Sequence, residues 1–270
     1  MPETRTVYFV GSGPGDPELI TLKAKKLVEE ADTIIYSGSL LNPRILQYAK
    51  KGVQLYDAAI IDREKIYQIL YDSAREGKIV IRFHDGDPAL FSAIREQIDK
   101  LEANGIKCKV VPGVTALLGA AADMNVELTL PGVTQTLIIT RAELRTPVPE
   151  RESIAELAKH GATMAFYLSV HLIGDVVNEL LKEGGGEGGR IYTEKTPAAV
   201  VYRATWEDEK IIKGTLGDIA KRTKEAKIIK TALIIVGEAI APTKYEYSKV
   251  YDARFTHGYR KGVAAKEKKE

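Results

Sequence analysis

Thr6-Val7-Tyr8-Phe9-Val10 runs directly into Gly11-Ser12-Gly13-Pro14-Gly15-Asp16-Pro17. An unalternated run of this kind marks a strand buried on both faces, the habit of a parallel sheet. The glycines allow a tight turn, and the helical spacing over Leu22–Ala31 completes a strand–turn–helix unit. The unit recurs along the first half. Strands are expected at Thr33–Tyr36, Lys78–Phe83 and Lys107–Val111, with a helix over Ile66–Arg75 that stops at Gly77. Helical spacing links Leu90, Phe91, Ile94, Ile98 and Leu101, Asn104-Gly105 stops that helix, and a small apolar helix covers Ala116–Asp123. Such alternation predicts a parallel sheet with helices on both faces.

A second half begins near Thr129-Leu130-Pro131-Gly132. Strands are expected at Gln135–Thr140, Ala162–Leu168, Ala198–Arg203, Lys210–Lys213 and Thr231–Val236. Helices are expected over Ser153–His160, where Ser153 and Glu156 form a capping box, over Leu172–Lys182, and between the last two strands. Gly184-Gly185-Gly186-Glu187-Gly188-Gly189 predicts a mobile loop. The expected division is an α/β domain over 1–128, a second over 129–242 and a polar tail over 243–270.

The chain has 270 residues, 44% hydrophobic and 28% charged, which is ordinary globular usage and excludes disorder or coiled coil as the main architecture. No apolar run approaches the roughly 18 residues of a membrane span, and none precedes the first strand, so neither a span nor a signal peptide is expected. One cysteine, Cys108, excludes an internal disulfide and points to a reducing, cytoplasmic compartment. Residues 254–270 carry a net charge of +4, leaving the rest of the chain at −2. A slightly acidic body speaks against a nucleic-acid partner.

The glycine turn sits where a dinucleotide-binding loop would. Its spacing is Gly-x-Gly-x-Gly-Asp, Pro14 and Pro17 have no N–H to offer a phosphate, and no acid follows the second strand at Tyr36-Ser37-Gly38. A nucleoside without phosphates fits better; a plain strand-to-helix turn capped by Asp16 with Pro17 at the first helical position fits equally well. His84-Asp85-Gly86-Asp87-Pro88 follows the third strand, where Asp87 also suits an N-cap, and Pro112-Gly113-Val114-Thr115-Ala116 follows the fourth, where Thr115 does. Three turns at the carboxyl ends of parallel strands converge on one crevice, the usual place for a ligand. Arg141, Glu143 and Arg145 lie on the loop after Gln135–Thr140; guanidinium forks suit a carboxylate-rich ligand, and a solvated loop with internal pairing is the alternative. Trp206, in Tyr202-Arg203-Ala204-Thr205-Trp206, is by type a core residue, and His160 and His171 are expected at the surface. No metal site is expected, since no ligand spacing is present.

The chain resembles the tetrapyrrole (corrin/porphyrin) methylases over nearly its whole length. The resemblance rests on Val10–Pro17 and Gly86-Asp87-Pro88, on Thr134-Gln135-Thr136 with Thr140–Glu143 and Arg145–Glu150, on Tyr202–Trp206, and on Phe255–Gly262. It implies two α/β domains, the second with a mixed sheet, and a cleft between them that binds S-adenosylmethionine and releases S-adenosylhomocysteine. It implies a homodimer acting on a small-molecule corrinoid precursor of cobalamin. Position by position, the cofactor would meet Pro14, Asp85, Gly86, Asp87, Leu90, Thr115, Ala116, Leu168 and Ala204. Many relatives have Met at Leu168, and some have a proposed base where this chain has Ser37, a role that Ser37 cannot take. The methyl acceptor must lose a proton; Asp87 is the expected catalytic group, with Asp85, His84 and Glu143 as further candidates. Arg141, Glu143, Arg145 and Arg203 are expected at the substrate. Competing readings are a family member acting on another ring position, on diphthamide or on rRNA, an NAD-dependent oxidoreductase, and a non-catalytic nucleotide-binding module.

Overall fold

The structure, a computed structural model, describes residues 5–143, 146–182 and 191–263. The glycine run at 184–189, the last six residues and Arg145 lie outside them. In the first half, β1 (Thr6–Gly11), β2 (Thr33–Tyr36), β3 (Gln54–Asp57), β4 (Val80–His84) and β5 (Lys107–Val111) form a parallel sheet in the order β3-β2-β4-β1-β5. Helices α1 (Leu22–Glu30), α2 (Arg63–Arg75) and α3 (Ile94–Ala103) cover it. β1 is buried at every residue, as its unbroken apolar run requires. Tyr8, Val10, Ile34, Ile81 and Phe83 pack toward α1; Val7, Phe9, Ile35 and Val80 pack toward α2 and α3.

Two features differ from the sequence reading. β3 is an additional edge strand, with Gln54 and Leu55 exposed, so it carries little apolar signal. α3 starts only at Ile94, because Phe91 and Ala93 adopt left-handed backbone (φ 55° and 48°) and turn the chain before it.

In the second half, β6 (Leu137–Arg141), β7 (Thr163–Tyr167), β8 (Pro197–Tyr202), β9 (Lys210–Thr215) and β10 (Ala232–Val236) form a mixed sheet in the order β6-β7-β10-β8-β9. Only β6 and β7 pair in parallel. Helices α5 (Ile154–Ala158), α6 (Ile173–Lys182) and α7 (Ile219–Glu225) cover one face. Ser153 Oγ accepts the Glu156 N–H at 3.3 Å, one half of the expected capping box; the other half is not made, since the Ser153 N–H donates to Glu150 O and the Glu156 carboxylate takes Lys159. The other face meets α4 (Ala116–Met124), the last helix of the first half: Leu117, Ala120, Ala121 and Met124 bury against Ala165, Ala199, Val201, Leu233 and Ile235. Beyond Ala241 the chain is mostly exposed and touches the body where the Glu246 N–H donates to Pro131 O (3.0 Å). Among the described residues no helix is long and apolar enough to cross a membrane.

Candidate functional site

The order β4-β1-β5 sets the carboxyl ends of three strands side by side, and their turns lock together through glycine backbone. The Ser12 N–H donates to His84 O (2.8 Å), and Gly13 and Gly86 exchange N–H···O bonds of 3.2 and 2.9 Å. A Cβ on Gly113 would lie 2.2 Å from Gly86 O and 2.9 Å from Gly11 Cα, so only glycine permits this approach. Asp87 ties two turns together. Its Oδ1 accepts the Ala89 N–H (2.7 Å), the local capping bond, and its Oδ2 accepts the Gly113 N–H (2.9 Å).

Turn 203–206 of the second half closes on the first loop. The Asp16 N–H donates to Thr205 Oγ1 (2.9 Å), and Trp206 Nε1–H donates to Pro14 O (3.2 Å). The indole lies against Gly15, where a Cβ would sit 2.1 Å from Trp206 Cδ1. Trp206 is thus a bridge between halves rather than a core residue. The loop also has few N–H groups left for an anion: Ser12, Gly13, Asp16 and Glu18 donate theirs within the protein, and Pro14 and Pro17 have none.

Between the two halves lies a cavity of about 310 Å³. Pro14, Leu40, Asp85, Gly86 and Ala116 line it from one side. Tyr167, Leu168, Val170, His171, Val201, Arg203, Ala204, Trp206 and residues 229–233 line it from the other. Tyr167 spans the halves: its hydroxyl pairs with Thr115 Oγ1 (2.5 Å) and accepts the Leu117 N–H at the start of α4 (3.1 Å). Thr115 therefore uses its hydroxyl across the cleft and not to cap its own helix. Leu168, Arg203, Thr205 and Thr231 around this wall all have positive φ, 54°, 49°, 66° and 53°. Non-glycine residues rarely adopt such backbone unless their surroundings impose it.

Beneath the turn, β4 buries Arg82 and His84, which are 7% and 2% exposed. Burial lowers the Arg82 guanidinium to about 10 even beside Asp85. Burial, helped by Arg82, lowers His84 to about 3, so the imidazole is neutral and stacked near Phe9. Burial raises the Asp85 carboxyl above the usual range, against its own backbone hydrogen bond and Arg82. Among the described residues no group of three or more His, Cys, Asp or Glu is placed to hold a metal ion.

The model of the tetrapyrrole (corrin/porphyrin) methylases matches residues 6–220. The chain belongs to this family. It is 53% identical to the cobalt-precorrin-4 C(11)-methyltransferase of Methanocaldococcus jannaschii, over 97% of this chain and 98% of that one. The X-ray structure of a cobalamin biosynthetic enzyme, cobalt precorrin-4 methyltransferase, superposes with a TM-score of 0.83 at 42% identity, covering 88% of this chain and 97% of that one. The uroporphyrin-III C-methyltransferase of Thermus thermophilus, complexed with S-adenosylhomocysteine, superposes with a TM-score of 0.72 at 30% identity, covering 87% and 98%.

Of the residues that resemblance to the methylases singled out, Pro14, Asp85, Gly86, Ala116, Leu168, Ala204 and Arg203 line the cavity. Asp87, Leu90 and Thr115 do not; Asp87 and Thr115 support the wall from behind. Arg141 is turned onto its own loop, where Nη1 donates to Thr146 O (3.0 Å) and Nη2 to Pro147 O (2.9 Å). Glu143 is exposed. Sequence reasoning missed Tyr167, whose only signal is its place at a strand end. It also missed the cavity position of His171 and Lys230, both of which are exposed.

Proposed function

We propose that this chain transfers the methyl group of S-adenosylmethionine to C11 of precorrin-4 or cobalt-precorrin-4. The products would be precorrin-5 or cobalt-precorrin-5A and S-adenosylhomocysteine, a step of cobalamin biosynthesis. One observation carries the cofactor part of this reading. The cavity between the halves is lined by six of the nine expected cofactor residues, and in the loop beside it the N–H groups of Ser12, Gly13, Asp16 and Glu18 are already engaged, which suits a nucleoside and disfavours a phosphate. The identity of the acceptor rests on similarity to the enzymes named above.

When bound, the cofactor supplies an electrophilic methyl group on a good leaving group. The protein's own work is then orientation and exclusion of water, which can contribute several kcal/mol. Apolar Pro14, Ala116, Leu168, Val201 and Ala204 surround the cofactor, and Tyr167 holds the first half to the second. Asp85 is the carboxyl of the turn that reaches the cavity, and burial makes it the stronger base, so in this reading it accepts the proton lost by the ring carbon. Asp87 positions the Gly113 turn. Arg203, His171 and Lys230 face the acetate and propionate groups of the macrocycle. The division at 128/129, a homodimer and a cytoplasmic location belong to the same reading.

Anaerobic incubation with S-adenosylmethionine and either macrocycle, followed by mass spectrometry, tests it. The expected result is gain of one methyl group at C11 with one of the two. Calorimetry should show S-adenosylhomocysteine binding and no comparable binding of NAD. Methylation at another ring position, or equal affinity for NAD, would overturn the assignment.

A further inference from the structure

Away from the cavity, carboxyl side chains from the two halves meet on one backbone N–H. Asp123 lies in the last turn of α4, and Glu209 immediately precedes β9. The Thr205 N–H donates to Glu209 Oε2 (2.6 Å) and to Asp123 Oδ2 (3.1 Å). Two carboxylates converging on a single hydrogen cannot both keep their charge at low cost, and one of them retains its proton to higher pH. Glu209 behaves in this way. Burial first, and then its hydrogen bond with Asp123, raise its carboxyl to about 7, against the Thr205 N–H.

The other charges nearby are committed elsewhere. Arg203 pairs with Asp208 (2.6 Å), and Arg44 pairs with Glu207. Asp16 turns its carboxylate to the Glu18 N–H (2.9 Å) and presents only its own N–H to Thr205. Lys210, which opens β9, is exposed.

What the pair grips matters for the cavity. Thr205 is β-branched with φ 66°, a conformation that must be held from outside. Its hydroxyl receives the Asp16 N–H, and the next residue, Trp206, donates to Pro14 O. We propose that Asp123 and Glu209 form a proton-sharing latch: with one proton between them they fix the Thr205 turn against the Pro14 loop, and losing it pushes α4 and turn 205–209 apart and loosens the cavity. The two residues are positioning residues and touch no ligand. The latch rests on the proposed function only for the choice of ligand probe.

The sign follows from linkage. A carboxyl raised in the folded state contributes stability that is present below its unfolded value and is lost as pH rises through about 7. His84, lowered to about 3, acts in the opposite sense on the acid side, losing stability as pH falls below its unfolded value. It is common to all variants, so the difference between proteins isolates the latch.

Melting temperature without ligand and calorimetric affinity for S-adenosylhomocysteine should be measured from about pH 5.5 to about pH 8.5. Wild type, Glu209→Gln, Asp123→Asn and Glu209→Ala are compared. Glutamine imitates the protonated acid permanently. Across that range wild type should lose about fivefold in affinity relative to Glu209→Gln, and its melting temperature should fall relative to that variant. Glu209→Ala should be weaker than Glu209→Gln at every pH. Should Glu209→Gln not fold, Asp123→Asn gives the same comparison. Parallel pH profiles for wild type and the amide variants would overturn the latch. Failure of every protein to bind S-adenosylhomocysteine would strike the proposed function instead, while the ligand-free melting profiles still decide the latch.

Discussion

The two walls of the cleft are built by opposite means. On the first-half side, Gly11, Gly86 and Gly113 bring three turns into backbone contact, and the positive φ of Gly86 (58°) costs a glycine nothing. On the second-half side, Leu168, Arg203, Thr205 and Thr231 adopt the same left-handed region despite their side chains; the Arg203 N–H donates to Thr231 O within that wall, and Thr205 is bonded across the cleft to Asp16 and Asp123. One wall is thus shaped by residue type and the other by its neighbours. The first wall should fail when a side chain is added to it. The second should relax when one is removed.

The largest effect is expected from Gly113→Ala, whose new Cβ would meet the backbone of Gly86 and Gly11 with nowhere to move. Overpacking of this kind should cost about 3 kcal/mol or more in urea unfolding. Gly105→Ala is the comparison: it has a positive φ of 76° with no atom near the added Cβ, and should lose only the left-handed penalty of about 1–2 kcal/mol. Equal losses would mean that the contact of the three turns contributes nothing.

Asp87→Asn comes next. Asparagine caps about as well as aspartate, so the Ala89 bond should survive, while the charge-assisted bond to Gly113 weakens. A loss of about 1.5–3 kcal/mol is expected in unfolding, with weaker S-adenosylhomocysteine binding because the turns shift. Unchanged stability with abolished turnover would instead place this carboxylate in the chemistry.

The smallest effect has the opposite sign. Leu168 is 58% exposed with φ 54°, so Leu168→Gly removes strain and little packing. The protein should gain about 1 kcal/mol of stability while losing affinity for S-adenosylhomocysteine. A loss of stability would show that the second wall is not strained.

The same contrast governs what could be read from the sequence. The continuous apolar strands and the glycine turns announce themselves locally, and with them the parallel sheet and the three converging loops. β3 does not, because an edge strand with exposed Gln54 and Leu55 lacks the pattern. Nothing in the residue type of Leu168 or Thr205 signals left-handed backbone, and at Thr205 the bonds that accompany it come from Asp16 and Asp123, far away in sequence. Asp123 and Thr205 are 82 residues apart, and their meeting follows from how α4 docks on the second sheet. Arg141 shows a related limit. Its type suits a ligand's carboxylate, yet nearby carbonyls of its own loop take its guanidinium.

That docking also bears on how the chain is made. α4 ends at Met124, but the surface that covers it includes Leu233 and Ile235 of β10, which are made more than a hundred residues later. During synthesis the first sheet can close on its own helices while the surface that covers Leu117, Ala120 and Met124 stays incomplete for more than a hundred residues. Such exposed apolar surface on a nascent chain invites aggregation or chaperone binding. The late arrival of β10 makes completion of the cleft a long-range step of folding, and contacts so distant in sequence form slowly.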